Sequence, residues 1–187
     1  MTSTGRWDRY FFKRYTTQKV SQVETIAVYW EENIRTYGIQ VEKNLCLAQA
    51  YILHSQLAAW GQQLADLGRG GTTVRLILAH LHEPEKLLIS MVFPEKFEEK
   101  LVEFKSRPVV GDVSGSFITD SPVEMLYFHG PHFGDRYGIA DMAGHTLQKN
   151  DIRYIVMGCS VASVHFVFPE NVADGAKKAL GSVFHTP

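Results

Sequence analysis

Cysteine is scarce in this chain: there are two, Cys46 and Cys159, in 187 residues. One disulfide is arithmetically open, but a disulfide framework is not, and a reduced cytoplasmic compartment is the simplest reading. Long apolar runs are also missing. None approaches the roughly 20 residues needed to cross a bilayer, so no membrane partner is expected. The opening residues Met1 to Gly5 are polar and no apolar stretch follows them, which predicts no secretory signal. Charge of one sign is lacking too, since the formal net charge is -1. Nucleic-acid affinity rests largely on neutralising phosphates, so a polyanion partner is not expected. No glycine-rich phosphate cradle occurs.

What is there is a repeat. Met91-Val92-Phe93-Pro94-Glu95 closes an apolar run in the first half, and Phe166-Val167-Phe168-Pro169-Glu170 closes one in the second. Phe93 and Phe168 stand 75 positions apart (168 minus 93). At that offset Phe97 aligns with Val172, Leu101 with Ala176 and Phe104 with Ala179, a spacing that lies on one helical face. Each half therefore predicts a strand, a proline turn and an amphipathic helix.

Working backwards extends the plan. In the second half, Val123 to His129 reads as a strand and Gly130 to Gly134 as a loop. A helix runs from about Tyr137 to Lys149, with Ile139, Met142, Ala143 and Leu147 in helical spacing. Ile152 to Val156 and Val164 to Phe168 are strands, and Val172 to Phe184 is the last helix. In the first half, Leu45 to Leu53 is a strand. Ser55 caps a helix carrying Leu57, Trp60, Leu64 and Leu67, which ends at Gly68-Arg69-Gly70-Gly71. Val74 to His80 and Lys86 to Phe93 pair, Phe97 to Phe104 is a helix, and Val109 to Ser116 is a closing strand. Units this small are marginal alone, so two are expected to pack together, within the chain or across a dimer.

Three segments resemble a known family, the tandem ACT domains, and most closely the regulatory half of aspartokinases. Tyr37-Gly38-Ile39-Gln40-Val41-Glu42-Lys43-Asn44 resembles the strand leading into the first unit. Gly134-Asp135-Arg136-Tyr137-Gly138-Ile139-Ala140 resembles the loop and helix start, with Tyr137 where proline is usual. Met157 to Val164 resembles the Gly-x-Ser turn, with Val161 where an acidic residue often stands. The resemblance spans about Ile34 to Phe184 and includes no kinase half. It implies an α+β fold of two tandem ferredoxin-like βαββαβ units, with antiparallel sheets and helices on one face. The expected division is 1–22 as a basic and aromatic arm, 23–118 as the first unit with a preceding hairpin, and 119–187 as the second. The implied function is a non-catalytic regulatory module that binds an amino acid at an interface between units, assembles as a homodimer and is read by a partner enzyme or regulator. The alternative is a regulator of gene expression resembling the tandem-ACT glycine-cleavage repressor proteins and acting through protein contacts.

The residues support a ligand loop on physical grounds as well. A helix start exposes unpaired N–H groups and partial positive charge, which suit a carboxylate. Gly130, Gly134 and Gly138 admit a close approach. Asp135 suits an ammonium group and Arg136 a carboxylate. His132, Tyr137 and Ile139 complete the loop candidates, and the resemblance adds Ile152 and Tyr154 from the second strand. The plainer alternative has the glycines serving the turn, Asp135 capping the helix, and Ile152 and Tyr154 packing in the core.

Other constellations are weaker. His80-x-His82 and His129-x-x-His132 supply only pairs, whereas zinc needs three or four ligands. Cys159-Ser160 has no assignable base, so no metal, cofactor or catalytic residue is expected. The first twenty residues interleave Arg6, Arg9, Lys13, Arg14 and Lys19 with Trp7, Tyr10, Phe11, Phe12 and Tyr15. That character suits single-stranded nucleic acid or a membrane surface, but also an arm that packs on the core or on a second subunit, which is the expectation here.

Overall fold

The sixteen-residue strand β2, Gly38–Leu53, is the spine of the computed structural model, which describes residues 34–106, 117–131, 133, 134 and 136–186. Its alternation breaks at Lys43-Asn44, where Asn44 takes a left-handed φ of 57° and the register with the neighbouring strand β5, Ile118–His129, shifts between Glu42 and Leu45. One inserted residue exchanges the two faces of a strand. Ile39 and Val41 therefore point to the same side of the sheet as Cys46, Ala48, Ala50 and Ile52 further on.

On either side of this central pair the chain repeats one plan. After β2 come α1 (Leu57–Arg69), β3 (Leu76–Glu83), β4 (Lys86–Pro94) and α2 (Glu98–Lys105); after β5 come α3 (Ile139–Lys149), β6 (Val156–Cys159), β7 (Ser163–Pro169) and α4 (Ala173–Leu180). The strands form a six-stranded antiparallel sheet in the order β3-β4-β2-β5-β7-β6. Two short strands, β1 (Ile34–Arg35) and β8 (Phe184–His185), pair in parallel apart from it.

Three apolar clusters hold these layers. Trp60 and Leu67 of α1 and Leu101 and Phe104 of α2 bury against Cys46, Ala48, Ile52, Met91 and Phe93. Ile139, Ala143 and Leu147 of α3 and Ala173, Ala176 and Leu180 of α4 bury against Leu126, Phe128, Val164, Phe166 and Phe168. The third cluster, Leu45, Leu47, Val92, Val123, Met125, Val156 and Val167 with Leu76 and Leu78, lies on the opposite face and contains no helical residue among those described. A Cβ placed on Gly158 of β6 would sit 2.6 Å from Leu78 Cδ1 of β3. Those strands end the sheet on opposite sides, so the sheet curls until its ends meet and buries that face between its own halves. On this inner face Tyr127 and His165 stack at 5.8 Å.

The bulge also carries a polar tie. The buried Glu124 on β5 accepts hydrogen bonds from the backbone N–H groups of Val172 (3.1 Å) and Ala173 (2.8 Å), capping α4 from a distant strand. Lys43 in the bulge lies 3.5 Å from Glu124 and 2.6 Å from Asp174. Its hydrogen bond to Asp174 raises its pKa despite some desolvation. The place that Glu124 takes opposite Phe168 is taken in the first half by Cys46 opposite Phe93. There a buried thiol, pushed up to about 11 chiefly by desolvation, replaces the carboxylate.

Several expectations need correction. Ile152 to Val156 is not a strand: β6 runs Val156–Cys159 and Ile152-Arg153-Tyr154 form the connection before it. The last helix stops at Leu180, and Phe184 lies in β8. Ser55 lies within a short 3-10 turn, His54–Gln56, and does not cap α1, whose N-cap is Gln56 with no side-chain cap. Met142 is exposed on α3 and Leu57 on α1. Ile34–Arg35 pairs with the chain's end, while Gly38 onward joins the central strand. The arm at 1–22, most of the preceding hairpin and the strand expected at Val109 to Ser116 lie outside the described residues.

Two measurements test this account. Glu124→Ala is expected to destabilise the fold by about 1–3 kcal/mol in urea unfolding, because it leaves two helix-start N–H groups without an acceptor. Glu124→Gln, which keeps one acceptor oxygen, recovers part of the loss. Burial lowers the pKa of His165 below its usual value. The unfolded state then binds the proton more readily, so stability is present above the ordinary histidine pKa and is lost as pH falls through the lowered one. Replacing His165→Phe is expected to flatten that slope.

Candidate functional site

The loop between β5 and α3 is built by contacts that only glycine tolerates. His129 ends β5, held by Gly38 on one side and Ser163 on the other. At Gly130 a Cβ would lie 2.3 Å from the Arg35 carbonyl oxygen and 2.5 Å from the Phe133 ring. Phe133 then turns inward and is buried beside Phe128, ring centroids 5.9 Å apart in an edge-to-face contact. At Gly134 a Cβ would lie 2.7 Å from Val161 Cγ1, on the turn between β6 and β7. That turn is tied by Ser160, whose backbone N–H donates to the Ser163 carbonyl at 2.8 Å and whose hydroxyl bonds that of Ser163 at 2.8 Å. The loop thus lies close against β1 at Gly130 and against the β6–β7 turn at Gly134.

Gly138 opens α3. Its φ of 83° lies in the left-handed region, where a side chain is strained. Its carbonyl accepts the Met142 N–H at 2.9 Å, and it offers no side-chain cap to the first-turn amides. Those amides and the helix dipole are the groups that favour an anion. Arg136 lies just before the helix and is half-buried, whereas Tyr137 is 90% exposed. Ile139 points inward and is buried in the α3/α4 core, so its expected ligand contact is not available to its side chain.

The structure gathers Gly130, Gly134, Arg136, Tyr137, Gly138 and Ile139 on one loop and helix start. His132 and Asp135 lie outside the described residues. Ile152 and Tyr154 do not join the loop through a strand. Ile152 donates its N–H to the Leu147 carbonyl at 3.0 Å and packs on the α3 core, while Tyr154 packs edge-to-face on Phe166 at 5.1 Å. Sequence reasoning missed the residues that hold the loop from outside. Tyr37 donates its N–H to the His129 carbonyl at 2.9 Å, with ring centroids 5.3 Å apart, and the buried Thr36 donates to the His185 carbonyl at 2.8 Å. The signal was the polar pair Thr36-Tyr37 interrupting an otherwise strand-like run.

The other constellations stay apart. Among the described residues no group of three or more His, Cys, Asp or Glu side chains is placed to hold a metal. The His82 ring packs at a tilt against Tyr51, centroids 4.5 Å apart. Cys159 is exposed at the end of β6 and Cys46 is buried, both free thiols. Among the described residues no helix is long and apolar enough to cross a membrane.

No protein-family model matches the sequence, and no curated protein matches it. Solved structures do. The regulatory subunit of aspartate kinase from Thermus flavus superposes with a TM-score of 0.68 at 13% identity, over 79% of this chain and 97% of that one. The fold is that of the aspartate kinase regulatory subunit. Aspartate kinase from Synechocystis aligns with a TM-score of 0.69 at 16% identity, over 82% of this chain and 28% of that longer one. E. coli aspartokinase III in complex with lysine and aspartate aligns with a TM-score of 0.51 at 14% identity, over 82% of this chain and 34% of that one. That fold agrees with the expected ACT-like architecture. At these identities the likeness is one of fold, and the loop residues carry any argument about a ligand.

Gly130 gives the direct check on the loop. Gly130→Ala is expected to destabilise the fold by about 2 kcal/mol or more in chemical unfolding, since a backbone oxygen cannot yield as a flexible side chain would. Gly144→Ala, where no atom lies within 4 Å of the added Cβ, is the matched control and should be neutral or stabilising.

Proposed function

We propose that this chain is a regulatory, non-catalytic amino-acid-binding module made of two tandem ferredoxin-like, ACT-like units, acting in the cytoplasm as a homodimer read by a partner enzyme or regulator. One observation carries the ligand reading. The loop from Gly130 to Gly138 runs close against its neighbours at Gly130 and Gly134 and leads to a helix start with no side-chain cap. The uncapped amides of α3 suit the carboxylate of an amino acid, Arg136 adds positive charge beside them, and Asp135 takes the ammonium group. Ile152 and Tyr154 lie on the connection before β6 and serve the ligand by packing, not by contact from a strand. The similarity in fold to an aspartokinase III solved with lysine and aspartate agrees with this ligand class.

The first half takes no ligand in this reading. Its counterpart of the glycine loop is the three-residue turn His54–Gln56, with no glycine to admit a close approach. A ligand can shift the protein's arrangement only by the difference in its affinities for the two states. The loop's contacts with β1/β8 and with the β6–β7 turn are where that difference arises.

A thermal-unfolding screen of the full chain against the twenty amino acids tests the proposal. A ligand at about 100 times its Kd adds roughly 2.7 kcal/mol, and each kcal/mol moves the midpoint of a chain this size by about 2–4 °C. One amino acid is expected to raise the midpoint by several degrees. Arg136→Ala should reduce that rise and Gly138→Val should remove it. A flat screen across all twenty would sink the amino-acid reading and leave the fold intact.

A further inference from the structure

We propose that the seam between β3 and β6 is a pH-operated switch: protonation of His165 parts it and opens the inner face of the sheet. The seam closes the curl, yet among the described residues β3 pairs only with β4 and β6 only with β7. Side-chain packing holds it, with Leu78 of β3 lying on the backbone of Gly158. No ladder of hydrogen bonds has to break for it to part. His165 stands directly beside Gly158 in the register of β6 and β7. On its other side is Tyr127, whose ring stacks on the imidazole at 5.8 Å with an interplanar angle of 21°. Leu78, Gly158, His165 and Tyr127 thus form one row across the inner face. The next row along is apolar: Val156, Val167 and Met125.

The groups around this row favour opening in acid. His165 is half-buried, and among the described residues its ring has neither a hydrogen-bond nor an ion-pair partner. From β5 it meets the phenol ring of Tyr127, with His129 two residues further on the same face. From β6 it meets Gly158, which has no side chain to offer. From β3 comes Leu78, followed on the same face by His80. The central strand β2 supplies Gln40, opposite Tyr127, and Glu42, opposite Met125. Glu42 is the carboxylate nearest in register, and Arg75 already holds it at 2.7 Å. A cation on His165 therefore finds no counter-charge, lies against an apolar row and shares its face with two further imidazoles. A buried charge without a partner is costly, and parting the seam gives it water. Desolvation lowers the pKa of His165 in the closed form. The open form binds the proton more readily, so the seam is closed above the lowered pKa and is driven open as pH falls through it. This inference does not depend on the ligand reading and stands even if no amino acid binds.

The test uses the full chain with a reporter thiol on the inner face, Val92→Cys in a Cys159→Ser background. Val92 lies on β4, in the first half's share of the inner cluster, so it reports the seam and not the breathing of the strand that carries His165. Cys46, packed under the helices of the first half, reports global unfolding in the same molecule. Labelling by a dithiodipyridine, normalised to a free thiol at each pH, is followed from about pH 8 to about pH 4.5, across the histidine range. The reporter should label about tenfold or more faster in acid, with a midpoint below the ordinary histidine pKa of about 6.5, while Cys46 stays protected. His165→Phe and His165→Gln carry no titrating group, and each should remove the rise. A reporter that stays protected in acid overturns the proposal. So does labelling that Cys46 shares, which is global unfolding, and so does an acid rise that both neutral variants retain.

Discussion

The apolar face that no described helix covers is the constraint on which the rest of the structure depends. Leu45, Leu47, Val92, Val123, Met125, Val156 and Val167 line the side of the sheet opposite the four described helices. Left flat, that face would expose a continuous apolar surface across six strands, which a folded chain does not leave in water. The sheet removes it by curling until β3 and β6 meet, with Leu78 seated on the bare backbone of Gly158. A curl this strong needs breaks in the ladder, and these fall in the central pair: the bulge at Lys43-Asn44 and the register shifts on either side of Leu45. The tie of Lys43 to Glu124 and Asp174 sits at the same place and links the bend to the helix beside it.

Much of this was legible in the sequence because the repeat is a repeat of packing. Phe93 and Phe168, Leu101 and Ala176 do the same job in each half, and a 75-residue offset between like residues is visible without a structure. The strands expected at Lys86 to Phe93 and Val164 to Phe168 lie within one residue of β4 and β7 at each end. The shared central strand was not legible. Gly38 to Leu53 reads as a lead-in followed by a separate strand, because Glu42-Lys43-Asn44 looks like a polar break when it is a bulge inside one strand. The misplaced strand at Ile152 has a similar cause. Ile152, Tyr154 and Val156 alternate correctly, but Ile152 is held to the end of α3 by its bond to Leu147 and Tyr154 by its ring contact with Phe166.

The candidate site was legible in part. Glycine-rich sequence at Gly130 to Gly138 marked the loop; Gly130 is required by a backbone contact and Gly138 by its left-handed conformation, while Gly134 lies against the exposed Val161 side chain. Local sequence could not reveal what the glycines make room for. At Gly130 it is the Arg35 carbonyl and Phe133, and at Gly134 it is Val161. The loop is therefore a junction between the chain's entry strand, its final strand and a turn in the second half. The differing fates of the two halves follow from the same comparison. The second half places Glu124 and a glycine loop where the first places a buried thiol and a three-residue turn.

The shared strand has a consequence for how such a molecule can be divided. Residues Gly38 to Glu42 lie beside the second half's strands, while Leu45 to Leu53 pair with β4 of the first. Likewise Ile118 to Asp120 run beside the first half's central strand, and Val123 to His129 pair with β7 of the second. Each half borrows its outermost neighbour from the strand that begins the other. No single cut of the backbone frees one half with all of its partners, so the two resemble a woven joint more than beads on a string. Any gene fusion, truncation or exchange that treats them as separable modules removes a strand from each.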